Sequence, residues 1–486
     1  MIRELIRERI LILDGATGTM LQKYGDTPEM LRRIHREYIE AGADIIKTNT
    51  FNSLSYQESY NGAAIAREEA DKMSSAVGRA IFVAGSMGPT SKMLSLSPDV
   101  NSPEYRAITF DAMAQCYAEQ AKGLIDAGVD LLLVETIFDG LNAKAALYAI
   151  SSVQEERGTE IPVMISATIN DRQGRILTGI HVEELYQALS HYPILSFGLN
   201  CSFGAADMEP VIASLAGKLP CAVSIYPNAG LPNTLGGYPE TPEITADLVR
   251  NIARKGYLNI AGGCCGTTPD HIRAIKAALE GVPPRRFGAT TPQAPTESLF
   301  VNVGERTNVA GSRKFAKLIA EKKYEEAALI ARNQIRDGAT IIDINMDDPM
   351  LDAPAEMERF IRIISNDPDI TKASFMIDSS HWETILAGLK NTQKRCYVNS
   401  ISLKEGEEEF IRKAKEIRRL GASVVVMAFD EQGQATDYER KIAICRRSYD
   451  ILTQVCEYRG EEIIFDNNIL TIGTGLPEHS DYAVDF

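Results

Sequence analysis

The chain has 486 residues, a formal net charge of −15, and 44% hydrophobic and 24% charged residues, a composition ordinary for a soluble globular protein of two or more domains. The negative charge argues against nucleic acid or an anionic membrane surface as a partner, and no apolar stretch approaches the roughly 18 residues of a membrane span. Because eight cysteines in so long a chain do not indicate a disulfide framework, and residues 1–9 do not read as a signal peptide, we expect a reducing, cytoplasmic location.

Residues 1–280 repeat one unit, in which an apolar run is followed by a polar turn and then by a helical pattern such as 29–41, 102–127 or 241–254. Eight strands are predicted, at residues 10–14, 44–48, 80–84, 130–135, 162–168, 194–199, 222–225 and 258–261. Near-continuous apolar strands that alternate with amphipathic helices are typical of a parallel sheet buried on both faces. Eight such units predict an α/β fold, a closed (β/α)8 barrel of the TIM type, with an open doubly wound sheet as the alternative.

A proline-rich segment then interrupts the pattern. Residues 281–298 contain four prolines and few large apolar side chains, which is typical of a linker. We therefore predict a first domain at 1–282, a linker at 283–298 and a second domain at 299–486.

A second series of strands and helices follows this segment. Six strands are predicted, at residues 300–303, 340–344, 373–377, 396–398, 423–428 and 462–465. The pattern therefore predicts a second TIM-type barrel in tandem with the first, truncated after about six strands. Such an open barrel would have two unpaired edges. The chain is either a fragment of a longer protein or a naturally reduced form, and we expect a fragment.

Three cysteines are predicted to lie together at one end of the first barrel, where the strands end and functional residues of this fold lie. Cys264 and Cys265 follow the eighth predicted strand in a glycine-rich turn, and Cys201 follows the sixth. Adjacent cysteines do not readily form a disulfide with each other, because the peptide between them would be strained. Three thiolates can instead hold a soft metal ion, and an open fourth position is typical of catalytic zinc. The alternative is that each cysteine is a small buried apolar residue.

The sequence GGCCGTTP at residues 262–269 resembles the zinc-binding signature of the homocysteine S-methyltransferase family, especially that of the first domain of cobalamin-dependent methionine synthases. Blocks at 14–19, 48–52 and 227–232 also resemble the family, so the resemblance covers most of the first 280 residues. It implies that Cys201, Cys264 and Cys265 bind zinc, which activates the homocysteine thiol as a methyl acceptor. Two features depart from the family: the connection at 20–29 is short, and Lys47 stands where many relatives carry an acidic residue.

Five further residues at the strand ends are predicted to contact the substrate. Glu135 follows the fourth strand, and we expect it to pair with the substrate ammonium, as its family counterpart resembles an amino-acid contact. A solvated or structural carboxylate is the alternative. Asp14, Asn49, Asn200 and Asn228 are predicted to provide hydrogen-bonding groups, although turn capping explains each of them almost as well.

The second half has carboxylates and carboxamides at its strand ends, namely Glu305, Asp343, Asp378, Asn399 and Asp466. Such groups can recognise a ring with alternating donors and acceptors, such as a pterin. Residues 300–312 resemble the opening of the methyltetrahydrofolate-binding domain of methionine synthases. This resemblance implies that Asp378, Asn399 and Asp466 hold the pterin ring, with Glu305 and Asn345 nearby. Capping of the following helices is the alternative for each.

Together the two resemblances imply a methyltransferase of methionine synthesis. The methyl group would originate on methyltetrahydrofolate, pass through cobalamin and reach zinc-bound homocysteine. The sequence lacks the Asp-x-His-x-x-Gly motif of the family's cobalamin domain, so cobalamin is expected from a missing region or from another protein. The alternatives are a homocysteine methyltransferase with another methyl donor and a vestigial second half, a non-catalytic module that binds folate or a corrinoid protein, and a purely structural zinc fold.

Overall fold

The computed structural model describes residues 1–233, 236–288 and 300–486. The chain divides into two compact units, one formed by Met1–Met93, Ile108–Tyr186 and Pro193–Thr296, the other by Leu94–Ala107, Gln187–Tyr192 and Glu297–Phe486. Residues 289–298 of the predicted linker lie outside the described residues, and the domain boundaries at 282 and 299 stay predictions. In the ranges just given, no helix has both the length and the apolar character needed to cross a membrane.

Strands and helices alternate through the first 280 residues, and each of the eight predicted strands overlaps an observed one. The strands are β1 Leu11–Ile12, β2 Ile45–Lys47, β3 Phe82–Met87, β4 Leu131–Ile137, β5 Val163–Ala167, β6 Ile194–Asn200, β7 Ala222–Tyr226 and β8 Ile260–Ala261. The helices are α1 Ile2–Glu8, α2 Thr17–Tyr24, α3 Pro28–Glu40, α4 Tyr56–Val77, α5 Phe110–Asp126, α6 Gly140–Arg157, α7 Val182–Leu189, α8 Ala205–Lys218, α9 Pro242–Arg254 and α10 Pro269–Ala278.

The eight strands form a nearly closed parallel barrel. Their order is β1-β8-β7-β6-β5-β4-β3-β2, and a parallel bridge between Leu13 and Ile45 joins the two end strands. The backbone N–H of Asp14 donates to the carbonyl of Ile45 at 2.9 Å, and that of Asp44 donates to the carbonyl of Ile12 at 2.7 Å. The predicted TIM-type barrel is therefore confirmed, and the open doubly wound sheet is wrong.

Local sequence explains where the helices begin. The Thr27 side chain accepts from the N–H of Met30 and Pro28 occupies the first turn, so α3 begins at residue 28. The predicted helix at 102–127 is wrong in its first eight residues, because Thr109 caps the helix by accepting from the N–H of Ala112 and α5 begins at Phe110.

Apolar side chains fill the barrel interior at the end from which the strands start. Ile2 and Ile6 of α1 pack into one cluster with strand residues such as Leu11, Phe82 and Leu131, so α1 covers the end of the barrel from which the strands start. Burial of each such side chain contributes about 1.5–3 kcal/mol. Polar side chains lie at the carboxyl end of the barrel.

The second unit repeats the alternation with fewer strands. The strands are β9 Val303–Asn308, β10 Ile341–Asn345, β11 Ser374–Asp378, β12 Tyr397–Ile401, β13 Ser423–Met427, β14 Phe429–Asp430, β15 Gly433–Gln434 and β16 Ile463–Asp466. The helices are α11 Arg313–Ala320, α12 Tyr324–Arg336, α13 Ala353–Ile364, α14 Trp382–Leu389, α15 Glu407–Arg419 and α16 Tyr438–Gln454. The strand predicted at 300–303 is misplaced, since Phe300 and Val301 are exposed and β9 begins at Val303. The prediction also missed the antiparallel pair β14 and β15.

The six main strands form one parallel sheet in the order β16-β13-β12-β11-β10-β9. Helix-side residues such as Phe315 and Phe360, whose rings meet edge to face at 5.2 Å, form the larger core cluster. Ile341, Met376 and Val425 form a small cluster on the opposite face. The sheet is open in the described residues, with β9 and β16 at its edges, as expected of a truncated TIM-type barrel.

Candidate active site

The three cysteines predicted as metal ligands lie together at the carboxyl end of the first barrel. Cys201 follows β6, and Cys264 and Cys265 follow β8. Their sulfur atoms all lie within 4.8 Å of one another, and the Sγ atoms of Cys201 and Cys265 are 3.8 Å apart. The barrel therefore brings together thiols that are far apart in the sequence.

Backbone hydrogen bonds fix the turn that contains two of these cysteines. The N–H of Cys264 donates to the carbonyl of Pro227 at 2.7 Å, and the N–H of Ala229 donates to the carbonyl of Cys265 at 3.0 Å. Gly266 has a φ of +81°, and a Cβ atom at this position would overlap the ring of Tyr238. A glycine is required here both by the left-handed backbone and by the close approach of Tyr238.

Ionisation of one thiol in this cluster disfavours ionisation of its neighbour. Hydrogen bonds from the thiols of Cys201 and Cys264 lower the pKa of Cys265 well below its ordinary value. The corresponding contacts with Cys201 and Cys265 raise the pKa of Cys264 well above its ordinary value. The cluster thus holds one thiolate readily and resists further ionisation, whereas a soft cation among the sulfur atoms would favour all three thiolates. This donor set fits zinc.

A layer of polar side chains lies inside the same end of the barrel. The ammonium of Lys47, the last residue of β2, lies 3.0 Å from Oδ1 of Asp14 and 5.0 Å from the ring centre of Tyr226. The hydroxyl of Ser86 donates to Oε1 of Glu135 at 2.5 Å. Asp14, Glu135 and Tyr226 are all buried. Charged groups in such a position favour a polar ligand, because unpaired buried charge is costly.

Asn200, predicted to bind substrate, is occupied by contacts within the protein. Its Oδ1 accepts from the hydroxyl of Ser166 at 2.7 Å and from the N–H of Thr136 at 3.1 Å. Its amide donates to the hydroxyl of Thr136 at 2.8 Å. Because Thr136 has a positive φ of 58°, these contacts hold a strained residue next to Glu135.

The remaining predicted substrate residues differ in their surroundings. Asp14 is engaged by Lys47 at both oxygens, since Oδ2 also accepts from the backbone N–H of Lys47 at 2.9 Å. Asn228 is buried, and its Oδ1 has no hydrogen-bond partner among the described residues. Asn49 is exposed at the rim. The sequence singled out Lys47 only as a departure from the family, and it did not identify Tyr226, which stands in a strand that reads as apolar core.

Three of the predicted pterin residues, Asn345, Asp378 and Asn399, lie at one level of the second sheet. The strand register pairs Asn345 with Asp378 and Asp378 with Asn399. Asp378, Asn399 and Asp466 line one pocket of about 360 Å³, together with Ser379, Ser380, Trp382, Ile385, Ser400, Lys413 and Met427. This pocket offers both donors and acceptors, and therefore suits a flat polar ring.

Amide groups connect the carboxylates beside this pocket. Asn345 donates to Oδ2 of Asp378 at 2.9 Å, and Asn308 donates to Asp343 at 3.1 Å and to Asp378 at 3.3 Å. Burial, followed by the charge of Asp378, raises the pKa of Asp343 to about 7. Burial also raises the pKa of Asp378. Glu305 lies within β9 and is exposed, and its charge adds to both shifts.

Comparisons with known proteins match the two halves of the chain to two families. Residues 11–279, more than half of the chain, match the family model described as homocysteine S-methyltransferase, and residues 304–486 match the one described as pterin binding enzyme. The homocysteine methyltransferase MmuM from Escherichia coli is 23% identical in its oxidised form, with a TM-score of 0.44 and coverage of 55% of this chain and 95% of that one. Its metallated form is 22% identical, with a TM-score of 0.46 and coverage of 56% and 98%. The (S)-3-O-geranylgeranylglyceryl phosphate synthase from Thermoplasma acidophilum is 11% identical, with a TM-score of 0.35 and coverage of 58% and 97%.

Proposed function

The chain belongs to the homocysteine S-methyltransferase family, and from this premise we propose that it methylates homocysteine at a zinc site formed by Cys201, Cys264 and Cys265. We further propose that the methyl group comes from methyltetrahydrofolate bound in the second unit and is carried by cobalamin supplied by another domain or protein. The observation that carries the proposal is the meeting of the three sulfur atoms within 4.8 Å at the carboxyl end of the barrel. It favours a catalytic site over a structural one, because three protein ligands leave a position for substrate.

Zinc bound by these cysteines would stabilise a substrate thiolate at neutral pH. The surrounding side chains of this chain would orient the substrate. Glu135, held by Ser86, would accept hydrogen bonds from the substrate ammonium. Oδ1 of Asn228, which accepts no hydrogen bond from the described residues, would provide a further acceptor. The contacts of Asn200 with Thr136 would keep Glu135 in place.

In the second unit, Asp378, Asn399 and Asp466 would hold the pterin ring, and Asn345 would orient Asp378. The pKa of Asp343, raised to about 7, allows this carboxyl group to hold a proton near neutral pH. A proton is needed in this site, because a methylated pterin nitrogen leaves more easily when it is protonated. Glu305 adds negative charge nearby and helps to keep that proton on Asp343.

Metal analysis and X-ray absorption test the first site directly. We expect one zinc per chain, with a further sulfur ligand when homocysteine is added, and loss of zinc in Cys264→Ser. Cys116→Ser is the matched control, because Cys116 is also partly exposed but lies on α5 outside the cluster. A protein without zinc, or a zinc site that ignores homocysteine, would contradict the proposed mechanism.

Equilibrium binding of methyltetrahydrofolate tests the second site. We expect Asp378→Asn to weaken binding about 10-fold or more, since a charged hydrogen-bonding group is lost, and Asp369→Asn, at an exposed position, to leave it unchanged. Methyl transfer from this folate to homocysteine should then depend on added cobalamin. Zinc-dependent methylation without any folate binding would favour another methyl donor and a vestigial second unit.

A further inference from the structure

The charge of Lys47 is the feature of the first site that the proposed function has not used. The side chain is 10% exposed and lies at the carboxyl end of β2. Burial alone would lower its pKa, but Asp14, Glu135 and Cys264 act in the opposite direction and raise the pKa above its ordinary value. The barrel therefore keeps a permanent ammonium group among its polar side chains.

The ion pair with Asp14 uses only part of this ammonium. A lysine ammonium has three N–H donors. In the part of the chain that the structure describes, Asp14 is the acidic group within ion-pair distance of Nζ, at 3.0 Å, and the ring of Tyr226 covers another side at 5.0 Å. Asp14 also accepts from the backbone N–H of Lys47, which fixes the start of the side chain. The ammonium is thus both held in place and able to donate further.

The charges around Lys47 match a zwitterion. Asp14 forms an ion pair with the ammonium of Lys47. Glu135, which accepts a hydrogen bond from Ser86, adds a separate negative charge on β4. An amino acid brings an ammonium group that suits Glu135 and a carboxylate that needs a cation. A carboxylate in a buried site without a cationic or N–H partner would be strongly disfavoured.

We propose that Lys47 binds the α-carboxylate of the thiol substrate and makes the site selective for amino-acid thiols. This inference rests on the proposed function, because it assumes that a thiol binds beside the three cysteines. It assigns opposite ends of the substrate to different strands: the ammonium to Glu135 on β4 and the carboxylate to Lys47 on β2. Asp14 then acts through Lys47 as a positioning residue.

Calorimetry with three thiols on the zinc-loaded protein tests the assignment. The thiols are homocysteine, aminopropanethiol, which lacks the carboxylate, and mercaptobutyrate, which lacks the amine. In Lys47→Met we expect homocysteine and mercaptobutyrate to bind about 10- to 100-fold more weakly, as for loss of a charged hydrogen bond, and aminopropanethiol to bind as in wild type. Lys47→Arg should retain most of the affinity, and Lys72→Met, at an exposed position on α4, should change nothing.

Lys47→Met also leaves Asp14 unpaired, so the double variant Asp14→Asn, Lys47→Met keeps the barrel neutral and separates folding from recognition. If the double variant folds, keeps zinc and discriminates among the thiols as wild type does, Lys47 is only a counter-ion of Asp14 and the inference is overturned. Equal weakening of all three thiols would also overturn it. A wild-type protein that does not bind homocysteine at all would instead defeat the proposed function itself.

Discussion

Replacement of Asn200 by alanine should destabilise the first unit more than it changes the chemistry of the site. The variant loses three hydrogen bonds, one with Ser166 and two with Thr136, and leaves the N–H of Thr136 without its acceptor. At about 1 kcal/mol for each hydrogen bond, with more for a buried group left unpaired, the expected loss is about 3–4 kcal/mol. The positive φ of Thr136 makes that residue depend on these contacts.

The single tryptophan makes this prediction measurable. Trp382 lies in the second unit, so its fluorescence follows that unit, whereas far-UV circular dichroism follows both. In urea, Asn200→Ala should lower the midpoint of the dichroism transition by about 1 M for a slope of about 3 kcal/mol per M, and leave the fluorescence midpoint unchanged. An unchanged dichroism midpoint together with lost homocysteine binding would refute the structural role and make Asn200 a substrate ligand.

Three further predictions use the same assays. Gly266→Ala should lower the zinc content, because its Cβ would displace Tyr238 beside Cys265. The control is Gly256→Ala, at a φ of +76° with open space around it, which should keep zinc and cost only about 1–2 kcal/mol of backbone strain. Chelation of zinc should lower the dichroism midpoint and spare the fluorescence midpoint, because the metal stabilises only the unit that binds it. Asp343 has a pKa of about 7 in the folded state, against an ordinary value of 3.8. The folded protein therefore binds this proton more tightly than the unfolded chain does. The stability of the second unit should fall as the pH rises from about 4 to 7. Relative to Asp343→Asn, the loss should be on the order of 2–4 kcal/mol by fluorescence, and a pH-independent difference would contradict the shift.

The sequence predicted the strands well where they are buried on both faces. Parallel strands such as β4, LLLVETI, and β7, AVSIY, are mostly apolar, so their runs stand out from the amphipathic helices. The strand β9 could not be found this way, because it is an edge strand whose residues, VGERTN, are mostly polar and partly exposed. The apolar residues just before it, Phe300 and Val301, misled the prediction.

The sequence predicted only those site residues whose positions follow from the ends of the strands. The positions of Cys201, Cys264 and Cys265 follow from barrel topology and need no knowledge of side-chain packing. The pair of Lys47 and Asp14 needs the register between β1 and β2, which meet at the bridge between Leu13 and Ile45. Likewise, the sequence does not reveal the positive φ of Thr136 that engages Asn200.

The two sites handle buried negative charge in opposite ways, and this follows from the side chains each contains. In the first, Lys47 neutralises Asp14, and the neighbouring thiols oppose full ionisation of the cluster, which a bound cation would favour. In the second, Asp343 and Asp378 accept hydrogen bonds from amides and form no ion pair among the described residues, so the cluster lowers its charge by retaining a proton. The first arrangement suits a substrate that must lose a proton from sulfur, and the second suits a substrate that must gain one on nitrogen. The methyl transfer from a pterin to a thiol that we propose needs both kinds of site.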